Sequence, residues 1–163
     1  MKLIVSVALA ALFFVSCSTS KEARNYAKQI DGKWQLQTVV TEGIAIANQT
    51  KTQLLNEADL SCFVGSSWTF NNKTNLGTYT INQNGGECVA VKRYVRWSFY
   101  EAAGQPALFQ FKKVDDKYYK DVEEGNSGYR FTVLQLDNTT LKLKSDVTFE
   151  GRPASFVYNF VRN

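Results

Sequence analysis

The sequence predicts an all-β fold, an eight-stranded antiparallel up-and-down barrel with a short N-terminal helix. Three observations carry this expectation. Eight segments alternate apolar and polar residues with a period of two. Most are joined by short connections rich in Asn, Asp and Gly, which favours pairing between sequential neighbours. Only one stretch, ahead of the first strand, has helical spacing. Eight tilted strands can close and so remove the sheet edges that would otherwise aggregate. An open two-sheet sandwich satisfies the same alternation.

The 163 residues are 44% hydrophobic and include three Trp, eight Tyr and eleven Phe but only two Pro, so there is ample apolar surface to bury and disorder is excluded. Histidine is absent, which removes the commonest general base, the Ser-His-Asp and Cys-His arrangements and most catalytic zinc sites. The adjacent acidic pairs Asp115-Asp116 and Glu123-Glu124 fall in turn-like polar segments and read as solvated charge. The chain is therefore read as a non-enzyme with no cofactor and no metal. Its net charge of +4 is dispersed, and Lys92, Arg93 and Arg96 are interleaved with apolar residues in a strand-like segment, which argues against a nucleic-acid surface.

Residues 1–16 read as an export signal. Met1 and Lys2 precede a thirteen-residue uncharged run from Leu3 to Val15. That is too short for a stable span of a hydrocarbon core ~30 Å thick, which needs about 20 residues. Phe14-Val15-Ser16-Cys17 resembles the lipobox of bacterial lipoproteins, which implies cleavage before Cys17 and acylation of that cysteine. Several acyl chains at ~0.8 kcal/mol per buried methylene would hold the domain to the membrane surface without spanning it. Ser18 follows where an Asp would resemble the inner-membrane retention signal, so the outer membrane is the expected location, with the leaflet open. An exported compartment is oxidising, and the remaining Cys62 and Cys88 are expected to pair.

Residues 17–31 contain the lipidated terminus and the helix. Thr19-Ser20-Lys21-Glu22 has the form of a capping box, and Ala23, Tyr26, Ala27 and Ile30 follow on one helical face. Gly32 ends the helix and opens the barrel domain, 32–163. Trp34, Leu36, Thr38 and Val40 then share one face of the first strand. From Val40 to Ser66 the pattern is irregular; its Leu54, Leu55, Leu60 and Cys62 make it a candidate lid, or else a solvated insertion. Ser67 to Phe70 and Thr78 to Asn82 flank a turn containing Asn71-Asn72-Lys73 and Gly77. Val91 to Phe99, Ala107 to Val114, Tyr129 to Leu136, Leu141 to Phe149 and Ser155 to Arg162 complete the series. They are separated by Ala102 to Pro106, by Asp115-Asp116-Lys117 and the connector to Gly128, by Asp137-Asn138-Thr139 and by Glu150 to Pro153.

A helix, then Gly32-Lys33-Trp34 opening the first strand, a long first connection and seven strands in hairpin sequence resemble the lipocalin superfamily. The fuller pattern includes Cys62, Ser67-Trp68-Thr69-Phe70, Gly77-Thr78-Tyr79, Cys88 and the terminal Tyr158-Asn159-Phe160-Val161-Arg162. It is similar to the lipocalin-like lipoproteins of Bacteroidetes. The resemblance implies that Trp34 packs at the closed end of the barrel beneath Arg162, a structural contact worth about 0.5 to 2 kcal/mol.

Trp97, Phe99, Phe109, Phe111, Phe131, Phe156 and Tyr158, with Leu143, share strand faces that can line one interior. Arg93, in phase with Val95 and Trp97, and Tyr129, in phase with Phe131, add polar groups to that face. A cavity lined by aromatics with a few polar anchors is the usual form of a small-molecule site. The expected partner is a small hydrophobic or amphipathic ligand. Arg93 would meet a carboxylate or phosphate head group, or else lie exposed at the rim. The alternative is a filled barrel that acts through its outer loops, as an inhibitor or an envelope interaction module.

Overall fold

The computed structural model describes residues 20–44, 52–82, 88–101, 104–123, 125 and 127–163. The expected export signal of residues 1–16 and Cys17, the expected acylation site, lie outside them. Helix α1 spans Lys21–Ile30 and leads into β1, Gly32–Glu42. The first connection contains a small hairpin, β2 (Gln53–Leu54) and β3 (Ala58–Asp59), and a single turn of helix α2 (Leu60–Phe63). The remaining strands are β4 (Ser67–Asn71), β5 (Leu76–Ile81), β6 (Val91–Tyr100), β7 (Leu108–Val114), β8 (Tyr129–Leu136), β9 (Thr140–Phe149) and β10 (Arg152–Arg162). The large sheet closes in the order β1-β10-β9-β8-β7-β6-β5-β4, every neighbour antiparallel, so the barrel rather than the sandwich is realised.

Two elements depart from the reading of the sequence for local reasons. The helix cap is Ser20, not Thr19: Ser20 Oγ accepts from Ala23 N at 2.9 Å and donates to Glu101 Oε2 at 2.8 Å. Glu22 therefore stands in the first turn, one position short of closing a capping box. In β1 a bulge interrupts the pairing with β10 between Leu36 and Thr38. The extra residue flips the alternation, so Val39 packs against the core while Val40 is 51% exposed.

Gly77 belongs to β5, paired with Phe70 and Val95, and is not a turn residue. A Cβ there would lie 2.4 Å from the Thr69 carbonyl oxygen, so the glycine permits close strand approach. Asn75, with φ +57°, supplies the positive dihedral of that turn.

Aromatic rings pack the interior. Trp68 stacks on Tyr79 at 4.7 Å between centroids, Phe70 meets Phe109 edge-on at 5.4 Å, and Phe111 stacks on Phe131 at 5.7 Å. Each indole N–H has an acceptor: Trp34 donates to Ile30 O, Trp68 to Ser66 Oγ and Trp97 to Leu76 O. Helix α1 lies against the barrel with Ala23 and Ile30 buried and Tyr26 stacked on Phe99. The Cys62–Cys88 disulfide is formed and ties α2 to the segment preceding β6. Closing that 26-residue separation is worth roughly 3 kcal/mol in the entropic account.

Candidate functional site

The barrel has two unlike ends. At the base, β1 places Trp34 opposite both Arg162 and Trp68, with its side chain fully buried. The Arg162 guanidinium lies 4.2 Å from the Trp34 ring centroid. Its Nη1 donates to Asp31 O at 2.6 Å, its Nη2 to Gln29 O and its Nε to Asn138 O at 2.7 Å. Carbonyls at the end of a helix lack intrahelical partners, and here Trp34 and Arg162 supply them. A Cβ on Gly32 would stand 2.8 Å from Arg162 Nη1, and its φ of +120° suits glycine alone. The Gly-Lys-Trp triplet is thus shaped by the arginine that crosses it.

The wall follows the parity read from the sequence. Trp97, Phe99, Phe109, Phe111, Phe131, Phe156 and Tyr158 are all buried, and Tyr129 is half-buried above Phe111 at 5.1 Å between centroids. Burial pushes the Tyr158 phenol up to about 12 against a hydrogen bond from Ser145 that lowers it, which keeps a neutral hydroxyl inside the wall. The space left among Leu55, Trp68, Phe70, Phe111, Phe131 and Tyr158 is about 10 Å³, at most a single water. The well is occupied by side chains.

At the opposite end the β2–β3 hairpin forms a roof. Leu54, Leu55, Cys62 and Phe63 are buried, so the described part of the first connection, from Thr52 onward, covers the barrel and is not a solvated insertion. A polar cluster fastens it. Arg93 donates to Glu57 through Nε (2.8 Å) and Nη2 (2.6 Å), and Tyr79 OH donates to Glu57 Oε2 at 3.1 Å. Lys113, only 5% exposed, lies 3.3 Å from Glu57 and 3.4 Å from Glu123, and donates to Leu55 O at 2.6 Å. The single Tyr129 hydroxyl proton is shared between Leu55 O, 2.7 Å away, and Glu123 Oε1.

Arg93 lies at the rim, its side chain 44% exposed, and the carboxylate it meets is the chain's own Glu57; Glu123 is a partly buried partner of Lys113 instead of a solvated charge. Burial alone would raise the Glu57 carboxyl, but the Arg93 hydrogen bonds and the Lys113 and Arg93 charges outweigh it and hold it below the ordinary range. Burial first, then the neighbouring carboxylates, pushes the Tyr79 and Tyr129 phenols up, so both stay protonated donors.

The sequence reading places none of Glu57, Tyr79, Lys113 and Glu123 in the site and gives Leu55 only as part of the candidate lid. A signal existed for Lys113, which shares the parity of Phe109 and Phe111, and for Tyr79, in phase with Ile81. None existed for Glu57, which sits in an aperiodic stretch. The three basic residues of β6 do not form one surface: Lys92 lies over Tyr94, Arg93 holds Glu57, and Arg96 donates to Tyr119 O and faces Asp121 at 3.9 Å. Asp115 spends its carboxylate on the backbone N–H groups of Lys117, Tyr118 and Lys120, stapling the β7–β8 connection. Among the described residues no set of three His, Cys, Asp or Glu side chains could hold a metal ion.

No curated protein matches the chain. A solved structure of a lipocalin-like protein from Bacteroides uniformis ATCC 8492 is similar at 13% identity with a TM-score of 0.46, covering 83% of this chain and 99% of that one. The family model of the lipocalin-like domain matches residues 30–143, from the strapped base through the lid and the aromatic wall into β9. With that match spanning most of its length, the chain belongs to the lipocalin-like domain family.

Proposed function

We propose that the barrel is a binding module for a small apolar or amphipathic molecule, admitted when the β2–β3 hairpin lifts from the mouth. The observation that carries this is the division of labour between wall and roof. Aromatic side chains from the barrel strands form the well, whereas the group that plugs its mouth, Leu55, belongs to a separate two-stranded hairpin outside the closed sheet. Removing that hairpin leaves the barrel's hydrogen-bonded wall intact.

Native mass spectrometry of the protein purified from its host tests the reading. A copurifying small molecule supports it; bare protein that also fails to take up fluorescent fatty acids refutes it.

A filled well favours a second reading, an interaction module. An open depression of about 640 Å³ lies on the outer face of β6–β8, where Arg96, Lys112 and Arg130 meet the single carboxylate of Asp121. Tyr118 and Val122 stand exposed on the neighbouring connection. Such a surface suits an acidic partner, and its charge reversal would abolish capture of that partner without altering small-molecule uptake.

The leader and Phe14-Val15-Ser16-Cys17 support export, cleavage before Cys17 and acylation at the outer membrane, and the disulfide is in keeping with an oxidising compartment. Labelling with a radioactive fatty acid, lost in Cys17→Ala, is the expected result; label retained in that variant would rule the site out.

A further inference from the structure

The tip of the lid has a conformation that its sequence does not favour. Glu57 N donates to Leu54 O at 3.0 Å, and the two residues between them have φ of +53° (Leu55) and +49° (Asn56). This is a type I′ turn, whose central positions prefer Asn-Gly or Asp-Gly because both need positive φ. Asn56 fits and Leu55 does not. A leucine at this turn position has a role outside the turn: its side chain is buried among Trp68, Phe70, Phe131 and Tyr158. Strain of this kind gathers at functional positions.

The oxygens of the same segment complete the picture. Leu55 O accepts from Lys113 and Tyr129, and the Glu57 carboxylate accepts from Arg93 and Tyr79 beside the Lys113 ammonium. Within three residues the hairpin thus offers an aliphatic group to the aromatic well and an anionic head to two cations and a phenol.

We infer that Leu55–Glu57 is an internal occupant of the barrel's site, standing in for an amphipathic carboxylate, and that such a ligand binds by exchange with it. The inference rests on the barrel-binding reading above and names its ligand class. The ligand tail takes the place of Leu55, and its carboxylate takes the place of Glu57 on Arg93, Lys113 and Tyr79. Charge balance makes the exchange selective. The Lys113 side chain is 6% exposed, and a buried ammonium is not left without counter-charge. With Glu57 withdrawn, the buried Lys113 keeps Glu123 alone and Arg93, its side chain 44% exposed at the rim, loses its carboxylate, so the cluster is one carboxylate short. A neutral apolar ligand cannot make up that deficit, whereas one carboxylate does.

The test uses the full chain carrying Cys17→Ser, with cis-parinaric acid and its methyl ester as fluorescent probes. The expected results are at least tenfold tighter binding of the acid than of the ester, and about a further tenfold gain for the acid in Glu57→Gln. Leu55→Gly suits the turn while emptying the plug, so it keeps the fold and tightens both probes. Equal binding of acid and ester by the parent chain, unchanged by Glu57→Gln and Leu55→Gly, overturns the exchange and leaves barrel binding standing. No binding of either probe to any of the three chains, Leu55→Gly included, overturns barrel binding and the exchange with it.

Discussion

Lys113→Met is the substitution that most directly weighs the roof of the barrel. The ammonium lies 3.3 Å from Glu57, 3.4 Å from Glu123 and 2.6 Å from Leu55 O, with 6% of its side chain exposed. Methionine keeps the length of the stem, so the change removes charge and donors and leaves little void. Deleting one partner of a buried ion pair costs about 3 to 5 kcal/mol because the other charge is stranded. Glu57 keeps Arg93, and the two carboxylate side chains are 11% and 18% exposed, so water softens the loss. The lower end applies, about 3 kcal/mol, which for a domain of this size lowers Tm by roughly 6 to 12 °C. Thermal melts at pH 7, followed in the near-ultraviolet where the interior aromatics report, measure it. Adding Glu123→Gln to Lys113→Met removes the stranded charge and is expected to recover about 1.5 kcal/mol, against a loss when Glu123→Gln is made alone. A Lys113→Met chain that melts within about 2 °C of the parent, or strictly additive effects of the two changes, would show that the cluster is not a coupled, desolvated clasp.

Three further outcomes follow from the geometry. At the base, Trp34→Ala removes a fully buried indole and is expected to cost about 3 to 5 kcal/mol, and Arg162→Met about 2 to 3 kcal/mol through its lost carbonyl bonds; chemical denaturation reads both, and parental midpoints would refute the strap. Gly77→Ala drives a methyl to 2.4 Å from the Thr69 carbonyl oxygen, where backbone must move, so a loss of about 2 kcal/mol is expected by the same measurement, and none would refute the close approach. The lid is acid-labile. Because the folded Glu57 carboxyl is held below its unfolded value, the clasp stabilises fully above the ordinary glutamate range of about 4.3 and is lost as pH falls below it through the folded value. Exchange of the Glu57 amide, corrected for its intrinsic rate, should accelerate over that interval and not between pH 6 and 8.

The strand faces were legible because a half-buried strand writes its burial with period two. Trp97 and Phe99, Phe109 and Phe111, and Phe156 and Tyr158 all point inward as their spacing requires. The reading failed wherever one residue breaks the period. The bulge between Leu36 and Thr38 leaves no mark in the composition, so Val40 was assigned to the wrong face. The elements within Gln53 to Phe63 are not legible, for another reason. They are two to four residues long, too short for periodicity, and Leu55 occupies a position chosen for what it plugs and not for the turn it makes. Lys113 obeys the same parity rule that selects Arg93, a charged residue in phase with interior aromatics, and it alone of the two is buried and so needs a partner inside. Only the partner, Glu57, lay beyond the reach of the pattern.

The two closures differ in what can replace them, and this decides which end can open. At the base, the contacts join three parts of the scaffold itself, the end of α1, the start of β1 and the end of β10, with Trp34 sealed from solvent. Nothing small could enter there without unpairing strands, since the Trp34 and Arg162 positions are themselves rungs of the β1–β10 ladder. At the mouth, among the described residues, the hairpin pairs only with itself and is held by side-chain donors, a set of groups satisfied equally by any oxygen anion that reaches them. Barrel strands keep their hydrogen bonds when the hairpin moves, so the opening free energy is set by the burial of Leu54 and Leu55 and by the ion pairs, and a ligand that supplies both an apolar tail and a carboxylate returns part of each. A closure made of replaceable contacts over a wall made of irreplaceable ones is what an exchangeable site requires, and among the described residues only the end under Glu57 has it.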